Sequence, residues 1–392
     1  MIPIAIIANA PTPYREHVHR RIAAEIPQVL VYSVFTHELS NTEWRRSAPS
    51  EIKPVFFGNG QRVEDQSALA RQPAELWKAG RIIHWLKENG VRLVLMGGYN
   101  DAGRVRIMRW CRRHGVPCLL CADSNVLGDT AKGMRLRVKR ILVGRIMRWC
   151  KGVMVCGRLG REYFLKYGAR PERIFLFPYE PDYRLIQEVP ESAIREVRSR
   201  FDLPDERRRI VYSGRLIARK RVEFLIDAFN ELAERRPEWD LLLIGDGPLR
   251  SVLEARVPEA LRGRVTWAGF LDDQRTVSAL YRSSDVLVLP SDLEPWAVVI
   301  NEAAAAGMAI VASDIVGAAA ELVRDGVNGR IFRHGDGEHL RQCLLDVTDP
   351  NRIDKMKSAS ESVLAEWRTR ADPVEGLRQA MRFCGVLPPV SS

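Results

Sequence analysis

Strand-like and helix-like runs alternate along this chain from one end to the other, the pattern of a doubly wound α/β sheet. No other feature limits the fold as strongly. In the first half IPIAIIANA, QVLVYSVF, VRLVLMGG, VPCLLCA, GVMVCG and RIFLFP read as strands, with helical patterns around Arg15–Ala24, Leu76–Asn89 and Gly103–His114. In the second half RRIVYSG, DLLLIGD, RVTWAGF, VLVLP, AIVASD and NGRIF repeat the scheme. A chain of 392 residues is too long for one ordinary core and fits two domains. The segment PYEPDYRLIQEVPES, rich in proline and charge and without a strand period, reads as the linker between them. This divides the chain into 1–183 and 184–368, with 369–392 left as a terminal helix and tail. The helical pattern resumes after Glu361 and runs to about Phe383, and the last residues, LPPVSS, read as disordered.

Composition narrows the class. With 46% apolar residues the chain is globular. MIPIAIIANA has no basic residues before it and stops at Pro11, so it reads as a buried strand and not as a leader. The longest later apolar stretch, Ala303–Ala312, falls far below the roughly 18 residues of a membrane span. A soluble cytoplasmic protein, or one peripheral on the inner face of a membrane, is expected. Seven cysteines, an odd number, argue for reduced thiols. Cys118 and Cys121 form a C-x-x-C inside VPCLLCA with no second pair and no nearby histidine, and strand burial accounts for them. The seven histidines have no ligand spacing, and His17 reads as a solvated helix residue. No metal is expected.

Glu294 and Glu302, in SDLEPWAVVINEAAAAG, carry the clearest chemistry. They lie where an apolar strand turns through a short loop into a helix of small residues, the place where open α/β sheets hold ligands. A helix starting near Trp296 would present the free N–H groups of Ala297 to Val299 to an anion. Glu302 would lie about a turn further in, at roughly 1.5 Å of rise per residue. A carboxylate there repels phosphate, so its natural partner is neutral: the diol of a ribose attached to that phosphate. Glu294, in the loop, would face the other end of the ligand. Together they describe a nucleotide diphosphate sugar, with the nucleoside by Glu302, the diphosphate on the helix amides of Ala297 and Val298, and the sugar hydroxyls on Glu294.

The segments around this pair resemble one family in order and spacing. VYSGRLIARKR, LLLIGDGP, VTWAGFLDD, VLVLPSDLEPW, the two glutamates and ELVRDGVNG, spanning Ile210–Gly329 and about a third of the chain, are similar to the donor half of retaining GT-B glycosyltransferases of family 4. The resemblance implies two Rossmann-like domains facing across a cleft, with a C-terminal helix crossing back to brace the first. It implies a retaining, metal-independent hexosyltransferase, with a UDP-sugar as the favoured donor and a GDP-sugar as the alternative. No D-x-D motif is present to hold a bridging metal. Gly214, Arg215 and Lys220 resemble the family's glycine, arginine and lysine that meet the donor diphosphate. The chemistry needs such cations, because breaking the sugar–phosphate bond leaves negative charge on the departing nucleoside diphosphate. No carboxylate is placed as a covalent nucleophile, so the resemblance implies front-face attack, with a leaving-group phosphate oxygen taking the acceptor proton and Glu294 positioning the sugar. Gly269, Phe270 and Leu271 look like the turn that meets the nucleobase, with core packing as the other reading of Phe270. Trp296, Ala297 and Val298 complete the donor set. Two departures stand out: Ala297 replaces a glycine common in the family, and GAAAE at Gly317–Glu321 has alanine where many relatives show a second glycine.

The first half would meet the acceptor, a glycan or lipid-linked molecule of envelope polysaccharide assembly, or alternatively a soluble small molecule. NAPTPYR occupies the mouth of the first strand, and Tyr14 with Arg15 opens a helix whose N-terminus can face the diphosphate or the acceptor. GGYND, with Tyr99 and Asn100, and CADSN, with Asp123, end later strands at the same sheet edge; Asp123 reads either as an acceptor-side acid or as a helix cap. Charge is uneven: Met1–Leu185 holds 31 basic and 16 acidic residues, a net +15, and the remainder is net −4. Eight basic residues and no acid fall between Lys132 and Lys151. That stretch reads either as a helix lying on an anionic membrane or as a solvated face, because Arg145 interrupts its best apolar stripe. A nucleic-acid-binding protein is the rival class, but the acidic second half and its donor motifs would then have no purpose.

Overall fold

The computed structural model describes residues 1–37, 49–58 and 68–389. Among these, two all-parallel sheets belong to two units, Met1–Glu180 with the chain from Ala371 onward, and Pro181–Arg370. The first unit's strands are β1 (Ile2–Ala8), β2 (Val29–Phe35), β3 (Val55–Phe56), β4 (Leu93–Gly97), β5 (Cys118–Ala122), β6 (Gly152–Val155) and β7 (Ile174–Leu176), in the order β3-β2-β1-β4-β5-β6-β7. Its helices are α1 (Pro13–Glu25), α2 (Gln72–Glu88), α3 (Ala102–Arg113), α4 (Gly133–Met147) and α5 (Arg158–Lys166). The second unit's helices are α6 (Tyr183–Gln187), α7 (Glu191–Arg200), α8 (Val222–Arg235), α9 (Arg250–Glu254), α10 (Gln274–Arg282), α11 (Val298–Ala305), α12 (Ala319–Leu322), α13 (Gly337–Val347) and α14 (Ile353–Arg370). Its strands, β8 (Arg208–Ser213), β9 (Trp239–Ile244), β10 (Val265–Gly269), β11 (Val286–Leu289), β12 (Ala309–Ser313) and β13 (Gly329–Phe332), run β10-β9-β8-β11-β12-β13. A last helix, α15 (Pro373–Phe383), belongs to the first unit.

Strands covered on both faces must be apolar on both, and they are. Every residue of β11, β12 and β5 is buried. On one face of the first sheet Ile82, Met108, Val143 and Phe164 of α2 to α5 form a core; on the other, Val18 and Ile22 of α1 meet Val374, Leu377 and Met381 of α15. Gly376 lets α15 come this close, since a Cβ there would lie 1.7 Å from the Leu176 carbonyl oxygen. Each sheet reverses strand order once, between β1 and β4 and between β8 and β11, and in open α/β sheets ligands bind beyond the strand ends at such a reversal.

Three expectations change. The linker segment holds a helix, α6, capped by Asp182, whose carboxylate accepts the Arg184 N–H. The terminal helical run is two helices, because Asp372 caps α15 through the N–H groups of Val374 and Glu375 and Pro373 has no N–H with which to continue α14. Of the tail read as disordered, Leu387 is buried in the core with Leu377 and Met381, and Val390–Ser392 lie outside the described residues.

The basic stretch forms α4, and Arg145, exposed on the same helical face as Met134, Val138 and Ile141, interrupts its outer apolar stripe as the sequence suggests. Met134, Val138, Ile141 and Leu142 are each at least half exposed, alongside exposed Arg135, Arg137, Arg140 and Arg145. Its inner side is pinned by the buried Asp129 carboxylate, which accepts from Lys139 Nζ (2.7 Å), Lys166 Nζ (2.8 Å) and the Tyr167 hydroxyl (2.6 Å). Burial alone would raise the Asp129 pKa, but these donors hold it well below the usual carboxylate range. Cys118 and Cys121 are buried thiols in β5, and no group of three or more metal-ligating side chains occurs among the described residues.

Candidate functional site

In the second unit the strand-order reversal brings two loops together. After β8 the chain runs through Gly214 and Arg215 to the turn Ala218–Lys220, and after β11 it runs through Asp292 to Glu294. The loops are stitched by the Asp292 N–H donating to the Arg219 carbonyl at 2.8 Å, by an Arg221–Asp292 ion pair and by one between Lys220 Nζ and Glu294 Oε2. Lys220 and Glu294, 74 residues apart in sequence, therefore occupy one largely covered spot. Arg215 is half-buried, and its carbonyl accepts from the Tyr212 hydroxyl at 2.9 Å. Burial and the Glu294 carboxylate push the Tyr212 pKa well up, so that hydroxyl stays a donor. Close backbone approach sets the loop shape, for a Cβ on Gly245 would lie 2.0 Å from the Gly214 carbonyl oxygen.

Beyond Glu294 the helix begins at Val298, two residues later than Trp296. Ala297 is the cap, in the left-handed region at φ 77°, where glycine is at ease and alanine is strained. The departure noted in the sequence is thus a strained backbone position. Gly317, the surviving glycine of GAAAE, packs on the same turn: its N–H donates to the Glu294 carbonyl (3.1 Å), and a Cβ would lie 2.0 Å from the Pro295 oxygen. The amides of Val298 and Val299 open α11 and have no acceptor within the helix.

Glu302 lies one turn in, as expected from its spacing, but its surroundings were not foreseen. Its Oε1 accepts from Gln274 Nε2 and its Oε2 from the Tyr281 hydroxyl, both at 3.2 Å, and the same hydroxyl bonds Ser213 Oγ at 2.7 Å. Burial pushes the Glu302 carboxyl up to about 7, against the pull of its two donors. Gln274, Tyr281, Ser213, Asp292 and Arg221 were all missed in the sequence. Arg221 follows Lys220 and Asp292 lies two residues before Glu294, each with the charge of its chosen neighbour, a signal that was available. Tyr281 carried none.

One donor-set reading is corrected, and for another the rival reading falls away. The Trp296 indole is buried against Trp367, with ring centres 6.1 Å apart, and its carbonyl accepts from Ala318 N–H, so it anchors the loop instead of meeting a ligand. Phe270 is 38% exposed, which removes core packing as its role, and it follows Gly269 at the end of β10 beside half-buried Leu271.

In the first unit a cleft of about 160 Å³ opens at the carboxyl ends of β1, β4 and β5, lined by Arg15, Asn100 and Asp123 together with Asn9, His19 and Tyr179. Arg15 donates to the Ala10 carbonyl (3.0 Å) and lies against the rings of Tyr14 and Tyr179, whose centres are 5.2 Å apart. His19, missed in the sequence, holds Ser33 Oγ at 2.7 Å and is kept neutral by burial and by Arg15, which lower it to about 3. Asp123 is exposed and ten residues short of α4, so it is no helix cap. Tyr99 is the correction here: its ring packs on the core beneath α2 to α5 and its hydroxyl meets that of Tyr163 at 2.8 Å, so it does not line the cleft.

Two parallel α/β sheets, each with polar residues at its strand-order reversal, define a protein of the GT-B class. The structure of Anabaena HepE in complex with UDP and glucose is similar to this chain at a TM-score of 0.72, covering 99% of this chain and 100% of that one at 19% identity. Residues 207–349 match the model of the family Glycosyl transferases group 1. An alpha-D-kanosaminyltransferase of Streptomyces kanamyceticus is 31% identical over 208 residues, 52% of this chain and 53% of that protein, so the match spans about half the relative's length. A GDP-mannose-dependent alpha-(1-6)-phosphatidylinositol monomannoside mannosyltransferase of Mycolicibacterium smegmatis is 29% identical over 96% of this chain and 99% of its own. Residues 207–349 thus carry the group 1 glycosyl transferase match, and the chain as a whole is similar to glycosyltransferases of that group.

Proposed function

We propose that this chain moves a hexose-type sugar, with retention and without a metal, from a nucleotide diphosphate sugar to a glycan or lipid-linked acceptor in envelope polysaccharide assembly at the cytoplasmic face of a membrane. The observation that carries the reading is the Lys220–Glu294 pair at the β8/β11 reversal, with Arg215 on one connected loop and Glu302 on the helix that follows the other. The sugar–phosphate bond is where a cation for the leaving group and a carboxylate for sugar hydroxyls belong side by side. Glu294 orients the sugar through its hydroxyls, and Lys220 and Arg215 stabilise the charge that grows on the diphosphate as the bond breaks. The α11 amides of Val298 and Val299 take the other phosphate, Glu302 accepts from the ribose, and the Gly269–Leu271 turn meets the base. The acceptor hydroxyl attacks from the leaving-group side, and its proton passes to the phosphate oxygen that the sugar leaves. UDP is the favoured nucleotide and GDP the alternative. The cleft with Arg15, Asn100 and Asp123 takes the acceptor.

Support for a lipid-linked acceptor comes from the mannosyltransferase relative, whose name gives a phosphatidylinositol glycolipid as acceptor and which matches this chain almost end to end. It comes also from α4, whose exposed Met134, Val138, Ile141 and Leu142 run among arginines, the composition of an interfacial helix. Each basic residue near an anionic surface contributes about 1 kcal/mol. Changing Arg135, Arg137, Arg140 and Arg145 together to glutamine, and sparing Lys139 because it holds Asp129, is expected to abolish sedimentation with phosphatidylglycerol vesicles while leaving hydrolysis of the donor unchanged. Parental vesicle binding would return the face to solvent and favour a soluble acceptor. Equal loss of hydrolysis would make the arginines structural.

A further inference from the structure

Nothing in the motif-bearing loops explains how Glu302 is held ready to accept from a ligand inside a site that disfavours its charge. The structure supplies the means from neighbouring elements. Tyr281, in α10, is buried, and its hydroxyl lies between Ser213 Oγ at the end of β8 (2.7 Å) and Glu302 Oε2 (3.2 Å). Gln274, at the start of the same helix, donates its carboxamide N–H to the other oxygen, Oε1. One residue thus holds each carboxylate oxygen, and both come from a single nine-residue helix.

The hydroxyl has one hydrogen and two acceptors within reach, Ser213 Oγ and Glu302 Oε2, so an ionised carboxylate is satisfied only when Tyr281 donates along the chain to Glu302 rather than to Ser213. With the carboxyl protonated the chain can run the opposite way, Glu302 to Tyr281 to Ser213, and Glu302 then presents a donor where a ribose hydroxyl also needs to donate. We infer that Tyr281 and Gln274 are positioning residues for donor recognition: they favour the acceptor form of the Glu302 carboxylate and hold it in one plane, and so set the enzyme's preference for a nucleotide with intact ribose hydroxyls. Ser213 immediately precedes Gly214 and Arg215, so the same chain ties the nucleoside end of the site to the loop that meets the diphosphate. The inference rests on the donor role proposed for Glu302 and can fail separately from it.

The test is calorimetric titration of the full chain with UDP and with 2′,3′-dideoxyuridine diphosphate, with the GDP pair run in parallel. Hydrogen bonds from a ligand to a charged group contribute enough that the parent should prefer the intact ribose by about tenfold or more. Glu302→Gln, which keeps one acceptor oxygen, should lose most of that preference. Tyr281→Phe and Gln274→Ala should each cut it to about threefold, by weakening the nucleotide with hydroxyls while leaving the dideoxy compound bound as in the parent. A merely structural tyrosine would weaken both ligands alike, and that result overturns the inference, as does a parental preference in both variants. Should Tyr281→Phe fail to fold, Gln274→Ala, on a half-buried side chain, reads the same preference. Absence of any preference in the parent, or of binding by either nucleotide, would instead remove Glu302 from donor recognition and this inference with it.

Discussion

The role proposed for Glu302 puts an anion in surroundings that resist charge, and its carboxyl is pushed up to about 7 because burial outweighs the help of Tyr281 and Gln274. The folded state therefore keeps a proton that the unfolded chain releases from about pH 4.5 upward. The stability this gives is full below pH 4.5 and is lost as the pH rises through 7. Glu302→Gln, which cannot titrate, should gain stability over the parent on the order of 2 kcal/mol between pH 5 and pH 8 in denaturant titrations of the ligand-free protein. An unchanged difference between the two proteins at the two pH values would mean that the carboxyl is solvated. Residues chosen by type alone fared worse than residues chosen by spacing. The place of Glu302 on its helix follows from counting residues, whereas Trp296 and Tyr99 find their partners, Trp367 and Tyr163, far along the chain, and an aromatic beside a loop looks the same whether it faces a ligand or the core.

At the scale of elements, Arg21 of α1 joins three carboxylates, pairing with Glu25, with buried Glu180 at the end of the first stretch of its unit, and with Asp372, the cap of α15. These pairs outweigh the cost of burying the guanidinium and hold its pKa above the ordinary value. Arg21→Ala would take from buried Glu180 its nearest cation, leaving His17 Nε2 at 3.9 Å, and should cost about 3 kcal/mol, to be seen as a lowered midpoint in thermal or denaturant unfolding. Arg21→Lys should recover only part, because one ammonium cannot fork to three partners. No loss in the alanine variant would show that water replaces the arginine at Glu180. Strands were readable because parallel strands buried on both faces are continuous apolar runs. Five-residue α6 has too few turns to display a period, and the break between α14 and α15 was written in Asp372-Pro373, a cap followed by a residue with no N–H to give.

For the molecule as a whole, the strand order decides what the sequence could not. Lys220 and Glu294 meet because β8 and β11 are neighbours at the reversal of the second sheet, although β9 and β10 lie between them in the chain. No local pattern reveals that adjacency, so the motifs were visible while their contact was not. The net positive charge of the first half likewise gains meaning only once α4 turns its arginines and apolar side chains outward together. If this pair acts on the bond between sugar and diphosphate, as proposed, its effect is read in the rate of nucleoside diphosphate release from a panel of UDP- and GDP-sugars, in chelator, by the parent and by Lys220→Ala. Slow release from one donor is expected of the parent and a rate lower by about 30- to 1,000-fold of the variant, equivalent to roughly 2 to 4 kcal/mol of lost transition-state stabilisation, with the fold retained. Equal rates in the two proteins, or release that requires a divalent metal, would contradict the proposal.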